Sequence, residues 1–335
     1  GCGCRFVGRN RLNAPDFKDH FPMLARTADN LFWLSRYVER AESLARILDV
    51  ALRLATLPSA YAGSSNEWES AIDTAACSQA FYAAYPIANE KNVTEFIIAG
   101  ETNPSSIRRC IENARHNARA VRTAITTEVW EILNDAWNQL QRIKLKNMNG
   151  QELTRFLSFV KEVSLRFDGT AYRTMLRTDH YWFQRLGMFI ERSDNTARLL
   201  DVKYHVLLPE QEPVGGGLDY FQWSALLRSL SAFNSYHLIY REGIKPWLVA
   251  DFLILRSEQP RSLISTYKNL NEVLDLLSER YGRQGPSQRL VRSTFADLQN
   301  VDTDRLFQQG LHEFLVAFLG ENNRLGMAIS EQYLQ

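Results

Sequence analysis

Cysteine is scarce: Cys2, Cys4, Cys77 and Cys110 are the four in 335 residues. So few thiols exclude a disulfide scaffold, and a reducing compartment, the cytoplasm, is expected. Long apolar runs are missing too. The best candidate, residues 247–255, is interrupted by Asp251 and falls far short of the roughly 18 residues a membrane helix needs. Neither sign of charge dominates, with 39 Lys and Arg against 38 Asp and Glu and a net charge of +1. The chain therefore has no overall basic field to hold nucleic acid or an anionic membrane, and neither is expected as a partner. Alternating strand patterns are nearly absent. Also missing are Gly-x-x-x-x-Gly-Lys-Ser/Thr, Gly-x-Gly-x-x-Gly and Gly-x-Ser-x-Gly, so phosphate cradles, dinucleotide turns and nucleophile elbows find no support. None of the six histidines follows a Glu by three residues, the spacing a di-metal bundle uses. No cofactor and no metal is expected.

What remains is helical in pattern. Apolar residues make up 45% and charged residues 23%, an ordinary globular mix. Residues 27–55 contain neither Gly nor Pro, and Leu34, Val38, Ala41, Ala45, Leu48 and Leu52 recur at spacings of three and four. At about 100° per residue they form one apolar stripe, and Thr27 or Asp29 is the expected N-cap. Further Gly/Pro-free stretches are 105–148, 152–168, 170–186, 188–208, 220–242, 262–281 and 287–309. Punctuation falls at 57–65, 100–104, 209–217 and 282–286, where Gly215-Gly216-Gly217 reads as a linker. The expected class is all-α, a helical bundle. Cys77 and Cys110 lack a visible His partner and read as inert buried thiols.

The sequence also repeats itself. Glu39 to Val50 returns 152 positions later as Glu191 to Val202, with seven of twelve residues identical. Phe96-Ile97-Ile98 and Asn103-Pro104-Ser105-Ser106-Ile107 return 156 positions later as Phe252-Leu253-Ile254 and Gln259-Pro260-Arg261-Ser262-Leu263. This predicts a tandem duplication with pseudo-twofold symmetry, residues 23–150 and 151–335, folded as one fused unit. Residues 1–22 precede the first methionine, Met23, and carry no apolar leader. They read as a non-native or disordered tail, and Cys2-Gly3-Cys4 within it falls short of a zinc-site spacing.

The repeated segment carries an ordered set of charges. Glu39, Glu42, Arg46 and Asp49 fall along one edge of the apolar stripe on a helical wheel, and Glu191, Asp194, Arg198 and Asp201 repeat that row. Arg40, and with it Arg192, lies on another side. Three readings stay open. The rows are ladders of within-helix pairs such as Glu42 with Arg46, at roughly 0.2–0.5 kcal/mol each. They meet across the pseudo-twofold axis as a buried network that fixes register between the halves. Or they hold a ligand or catalyse. Separately, Arg108, Arg109, Arg115, Arg119 and Arg122 make one helix locally basic, either a solvated face or a docking surface for an acidic partner.

The run Leu24-Ala25-Arg26-Thr27-Ala28-Asp29-Asn30-Leu31-Phe32-Trp33, leading into Tyr37-Val38-Glu39-Arg40-Ala41-Glu42, resembles the opening of bacterial alpha-E domain proteins. Glu39-Arg40 and Glu191-Arg192 match that family's Glu-Arg motif residue by residue. The resemblance implies an all-helical fold, usually tandemly duplicated. It also implies a genomic setting beside circularly permuted ATP-grasp ligases, transglutaminase-like proteins and NTN-type peptidases, hence a system for peptide synthesis or modification. The expectation is a cytoplasmic, non-catalytic component that binds or positions the ligase or its peptide substrate, with a transglutaminase-like protein as a second partner. The alternative is an enzyme of the same pathway. Glu39 and Glu191 would then be acid/base groups, and Arg40, Arg46, Arg192 and Arg198 would hold an anion. A homo-oligomer is left open.

Overall fold

The first long helix shows how the chain is built. The computed structural model describes residues 23–56, 67–205, 217–301, 306 and 310–335. The tail at 1–22 with Cys2-Gly3-Cys4, the punctuation at 57–65 and most of that at 209–217 lie outside the described residues. Helix α1 (Ala25–Ala55) follows the expected stretch closely, but it begins at Leu24, which offers no side-chain cap. Thr27 and Asp29 sit inside its first turns. From residue 41 to residue 51 every side chain is buried. A helix closed in on all sides has no solvent face on which to set charges, so its polar residues must find partners within the protein.

Thirteen further described helices follow. They are α2 (Glu67–Thr74), α3 (Ser78–Ala84), α4 (Glu90–Ala99), α5 (Ile107–Ala120), α6 (Thr127–Arg142), α7 (Gly150–Thr174) and α8 (Asp179–His205). Then come α9 (Gly217–Ser229), α10 (Phe233–Ile239), α11 (Pro246–Ile254), α12 (Leu263–Tyr281), α13 (Pro286–Gln299) and α14 (Leu311–Tyr333). Strands are absent among the described residues, and the fold is all-α as expected. None of these helices is long and apolar enough to cross a membrane.

Helix breaks do not always follow glycine and proline. The stretch 105–148 divides into α5 and α6 at residues that are neither, because Thr126 caps α6 by accepting from the Val129 amide at 3.4 Å. Gly169 and Gly187 both continue a helix, and the break between α7 and α8 falls at 175–178. At Gly282 the expectation holds: its φ of 65° ends α12 in the left-handed conformation glycine tolerates.

Packing joins two four-helix groups. α1 packs on α5 and α7, α5 on α6, and α6 on α7. α8 packs on α12 and α14, α12 on α13, and α13 on α14. The groups meet along α1 and α8, the most extensive contact in the fold, with α2 and α9 each touching both helices. One contiguous cluster of buried apolar residues runs from Ala28 to Leu334 across both groups.

Candidate functional site

α1 and α8 run side by side in the same direction, 32–35 beside 184–187 and 39–40 beside 191–192. Their approach is close because small residues face each other. The Ser35 hydroxyl donates to the Gln184 carbonyl at 2.5 Å. A Cβ built on Gly187 would lie 2.0 Å from the Phe32 carbonyl oxygen, so glycine is the residue this crossing requires.

One turn further on, the two Glu-Arg pairs exchange partners. Arg40 forks onto Glu191, Nε to Oε1 at 2.6 Å and Nη2 to Oε2 at 2.9 Å. Arg192 forks onto Glu39 in the same way, with both distances 2.9 Å. Bidentate guanidinium–carboxylate pairs are the strong, directional form of an ion pair. Each carboxylate then takes a second arginine. Arg36 Nε reaches Glu191 Oε2 at 2.9 Å, and Arg261 Nη1 reaches Glu39 Oε1 at 3.0 Å.

The network continues along α1. Glu42 accepts from Arg46 Nε at 2.8 Å, from Arg261 Nη2 at 2.7 Å and from the Ser164 hydroxyl at 2.6 Å. Arg46 also donates to the Ser229 carbonyl. Burial alone would raise the Glu42 carboxyl, but Arg261, Arg46 and the Ser164 hydroxyl outweigh it and hold it down to about 2. Glu191 behaves alike: burial pushes it up, and Arg40 and Arg36 bring it below the usual carboxylate range. Arg46 is pushed down by burial and by neighbouring Arg261, against the pull of Glu42.

The remaining residues of the two rows go elsewhere. Asp49 turns to Lys161 on α7 at 3.2 Å and to Arg53 at 3.3 Å. Asp201 meets His312 on α14 at 2.6 Å. Asp194 and Arg198 pair with each other on α8 at 2.7 Å, and burial raises the Asp194 carboxyl despite Arg198. The outcome thus combines two readings of the sequence. Glu42 with Arg46 and Asp194 with Arg198 are within-helix pairs, and Glu39 and Glu191 belong to a buried network between helices. The forked arginines that cross are Arg40 and Arg192, which the helical wheel set apart from the rows.

Arg36, Arg261, Ser164 and Lys161 were not singled out in the sequence. Arg36 left a signal: it stands four residues before Arg40, so like charges share a helix face and call for an acid from another helix. Arg261 left another, since it replaces Ser105 in the second repeated block. The basic helix α5 carries Arg108, Arg109, Arg115 and Arg119, and Arg122 falls in the turn after it rather than on the same helix; Arg115 bonds Asn134 at 3.0 Å and Arg122 lies 4.9 Å over the Trp130 ring. Burial pushes the Cys77 and Cys110 thiols up to about 12, consistent with inert groups.

Residues 23–334 match the family described as "A predicted alpha-helical domain with a conserved ER motif". The chain belongs to the Alpha-E family. No curated protein and no solved structure matches it. In this Alpha-E chain two of the Glu-Arg dipeptides, Glu39-Arg40 and Glu191-Arg192, lie in the repeated segment, and these four residues clamp α1 to α8. Among the described residues, no group of three His, Cys, Asp or Glu side chains is placed to hold a metal ion.

Proposed function

We propose that this Alpha-E protein is a cytoplasmic, non-catalytic helical component of a bacterial ATP-grasp and transglutaminase-associated system for peptide synthesis or modification. It binds or positions the ligase or its peptide substrate. The observation that carries the non-catalytic part is the closure of the motif. Glu39 and Glu191 are buried, and each accepts three hydrogen bonds from two arginines. A buried carboxylate with three of its roughly four acceptor sites taken by arginines is poorly placed to reach a substrate proton, the reverse of what a general base needs. Buried paired networks of this kind set register between helices.

The same proposal treats the two halves as a tandem duplication. The order of the described helices supports it when the seam is drawn at 175–178, which places α1–α7 before it and α8–α14 after it. That moves the seam from 150/151, because α7 packs on α1 and α6 as α14 packs on α8 and α13.

The enzyme reading draws on Asp194, whose carboxyl burial raises and whose described ion pair is with Arg198 on its own helix. Affinity purification of the tagged chain from its native cells, with mass spectrometry, tests the accessory reading. Co-elution of an ATP-grasp ligase or a transglutaminase-like protein is expected. A lysate that contains both and yields neither would refute a stable complex.

A further inference from the structure

The two halves carry the same aromatic cluster. Phe81, Tyr85 and Phe96 recur as Tyr236, Tyr240 and Phe252, at offsets of 155, 155 and 156 residues. In the first cluster Phe96 stands edge-on to Phe81 at 5.3 Å and 84° and to Tyr85 at 6.2 Å and 82°. In the second, Phe252 stands edge-on to Tyr236 at 5.8 Å and 86° and to Tyr240 at 6.1 Å and 85°. An acid accompanies each cluster, Glu95 in the first and Asp251 in the second, again 156 residues apart.

What completes the clusters differs. In the second half, Arg256 Nε lies 2.9 Å from Asp251 Oδ2 and 3.0 Å from the Tyr240 hydroxyl, which itself donates to Asp251. The position 156 residues earlier is Gly100. No guanidinium can come from there, and a cleft of about 620 Å³ opens instead, lined by Tyr85, Glu95 and Gly100. Its size suits a small ligand or a peptide side chain. Glu101, Arg108 and Lys146 also line it. Lys146 approaches Glu95 to 3.9 Å, the outer limit of an ion pair, with 74% of its side chain in solvent. Tyr85 and Glu95 line the same cleft, and burial, then the charge of Glu95, raises the Tyr85 hydroxyl.

We infer that this cleft binds a guanidinium group brought by a ligand, held on Glu95 and Tyr85 as Arg256 is held on Asp251 and Tyr240. The second half is thus a template with its occupant built in. The inference rests on the duplication proposed above, not on the pathway.

Calorimetric titration of the full chain with N-acetyl-arginine amide, and with N-acetyl-citrulline amide as the neutral isostere, tests it. The arginine probe should bind saturably at one site and the citrulline probe at least roughly tenfold more weakly, the effect of a charged hydrogen bond. Glu95→Gln should weaken the arginine probe by a similar factor, and Lys146→Ala should tighten it by removing a competitor for Glu95. Agmatine, which has no peptide group, should bind as well, because the guanidinium is what the cleft reads. No saturable binding, equal binding of citrulline, or indifference to Glu95→Gln would overturn the site. Arg256→Ala should open a second site and raise the stoichiometry from one to two. If wild-type binding stands and no second site appears, the likeness between the halves fails and the cleft does not.

Discussion

Replacing Glu191 by Gln is the sharpest test of the buried network. The substitution keeps the shape and removes one charge. Glu191 now accepts from Arg40 Nε, Arg40 Nη2 and Arg36 Nε. Glutamine offers one acceptor oxygen, and its amide nitrogen must face a guanidinium, donor against donor. Breaking one partner of a buried pair costs about 3–5 kcal/mol, because the other charge stays behind without compensation. Here Arg40 and Arg36 keep 25% and 19% of their side chains exposed, so they can turn partly to water. The lower end, about 3 kcal/mol, is therefore expected. Glu39→Gln should cost more, because Arg192 and Arg261 are only 11% and 12% exposed.

Guanidinium chloride unfolding at neutral pH reads these values through the midpoint, with the slope as a check that compactness is unchanged. In thermal scans, about 2–4 °C per kcal/mol holds for domains of 150–250 residues, and a larger chain shifts less, so roughly 5–9 °C is expected. Asp201→Asn is the control: its partner His312 keeps 42% of its side chain in solvent, and a loss of about 0–1 kcal/mol is expected. A Glu191→Gln midpoint indistinguishable from wild type, at equal slope, would refute the network as a structural device.

Other expectations follow from single contacts. Gly187→Ala and Gly169→Ala should have opposite signs in the same unfolding assay. The first forces a methyl into the Phe32 backbone and should destabilise by about 1–3 kcal/mol, whereas the second meets nothing at an exposed position of α7 and should gain up to about 1 kcal/mol of helix propensity. Stability should also fall in acid. Glu42 is held down to about 2 in the fold against an ordinary value of 4.5, so between these values the unfolded chain binds more protons. The contribution is complete above pH 4.5 and is lost as pH drops toward 2. It amounts to about 3 kcal/mol, and Glu191 works in the same direction. A denaturation series from pH 6 to pH 2.5 that shows no decline below pH 4.5 would contradict it.

The sequence disclosed the helices better than the places where they stop. Residues 27–55 were legible as α1 because nothing in them can break a helix and the apolar spacing is regular. The turns at 121–126 and 175–178 were not, because neither contains glycine or proline and the start of α6 is set by a side-chain cap, Thr126. At the site, the charged residues were legible as a repeated set, but their faces were misread. A wheel assumes one buried stripe and one wet edge, and α1 has no wet edge between 41 and 51. Partners were less legible still. Arg261 lies 222 residues from Glu39, and no local periodicity carries that distance.

On the duplication reading, what the halves share and what they do not has a pattern. Both motif carboxylates are closed by two arginines. The forked one comes from the same position in each half, Arg40 or Arg192. The second does not: Arg36 has Met188 as its counterpart, and Arg261 has Ser105. A buried carboxylate needs its charge compensated, but several directions of approach satisfy it, so the supplier can change while the requirement stays. The acids beside the aromatic clusters face a weaker requirement, because each keeps part of its side chain in solvent, 27% for Glu95 and 16% for Asp251. There one half kept an arginine and the other became glycine with an open cleft. A further difference between the halves therefore lies at α3–α4 against α10–α11, away from the clamp. That is where a duplicated scaffold can acquire a ligand without loosening the contact that holds it together.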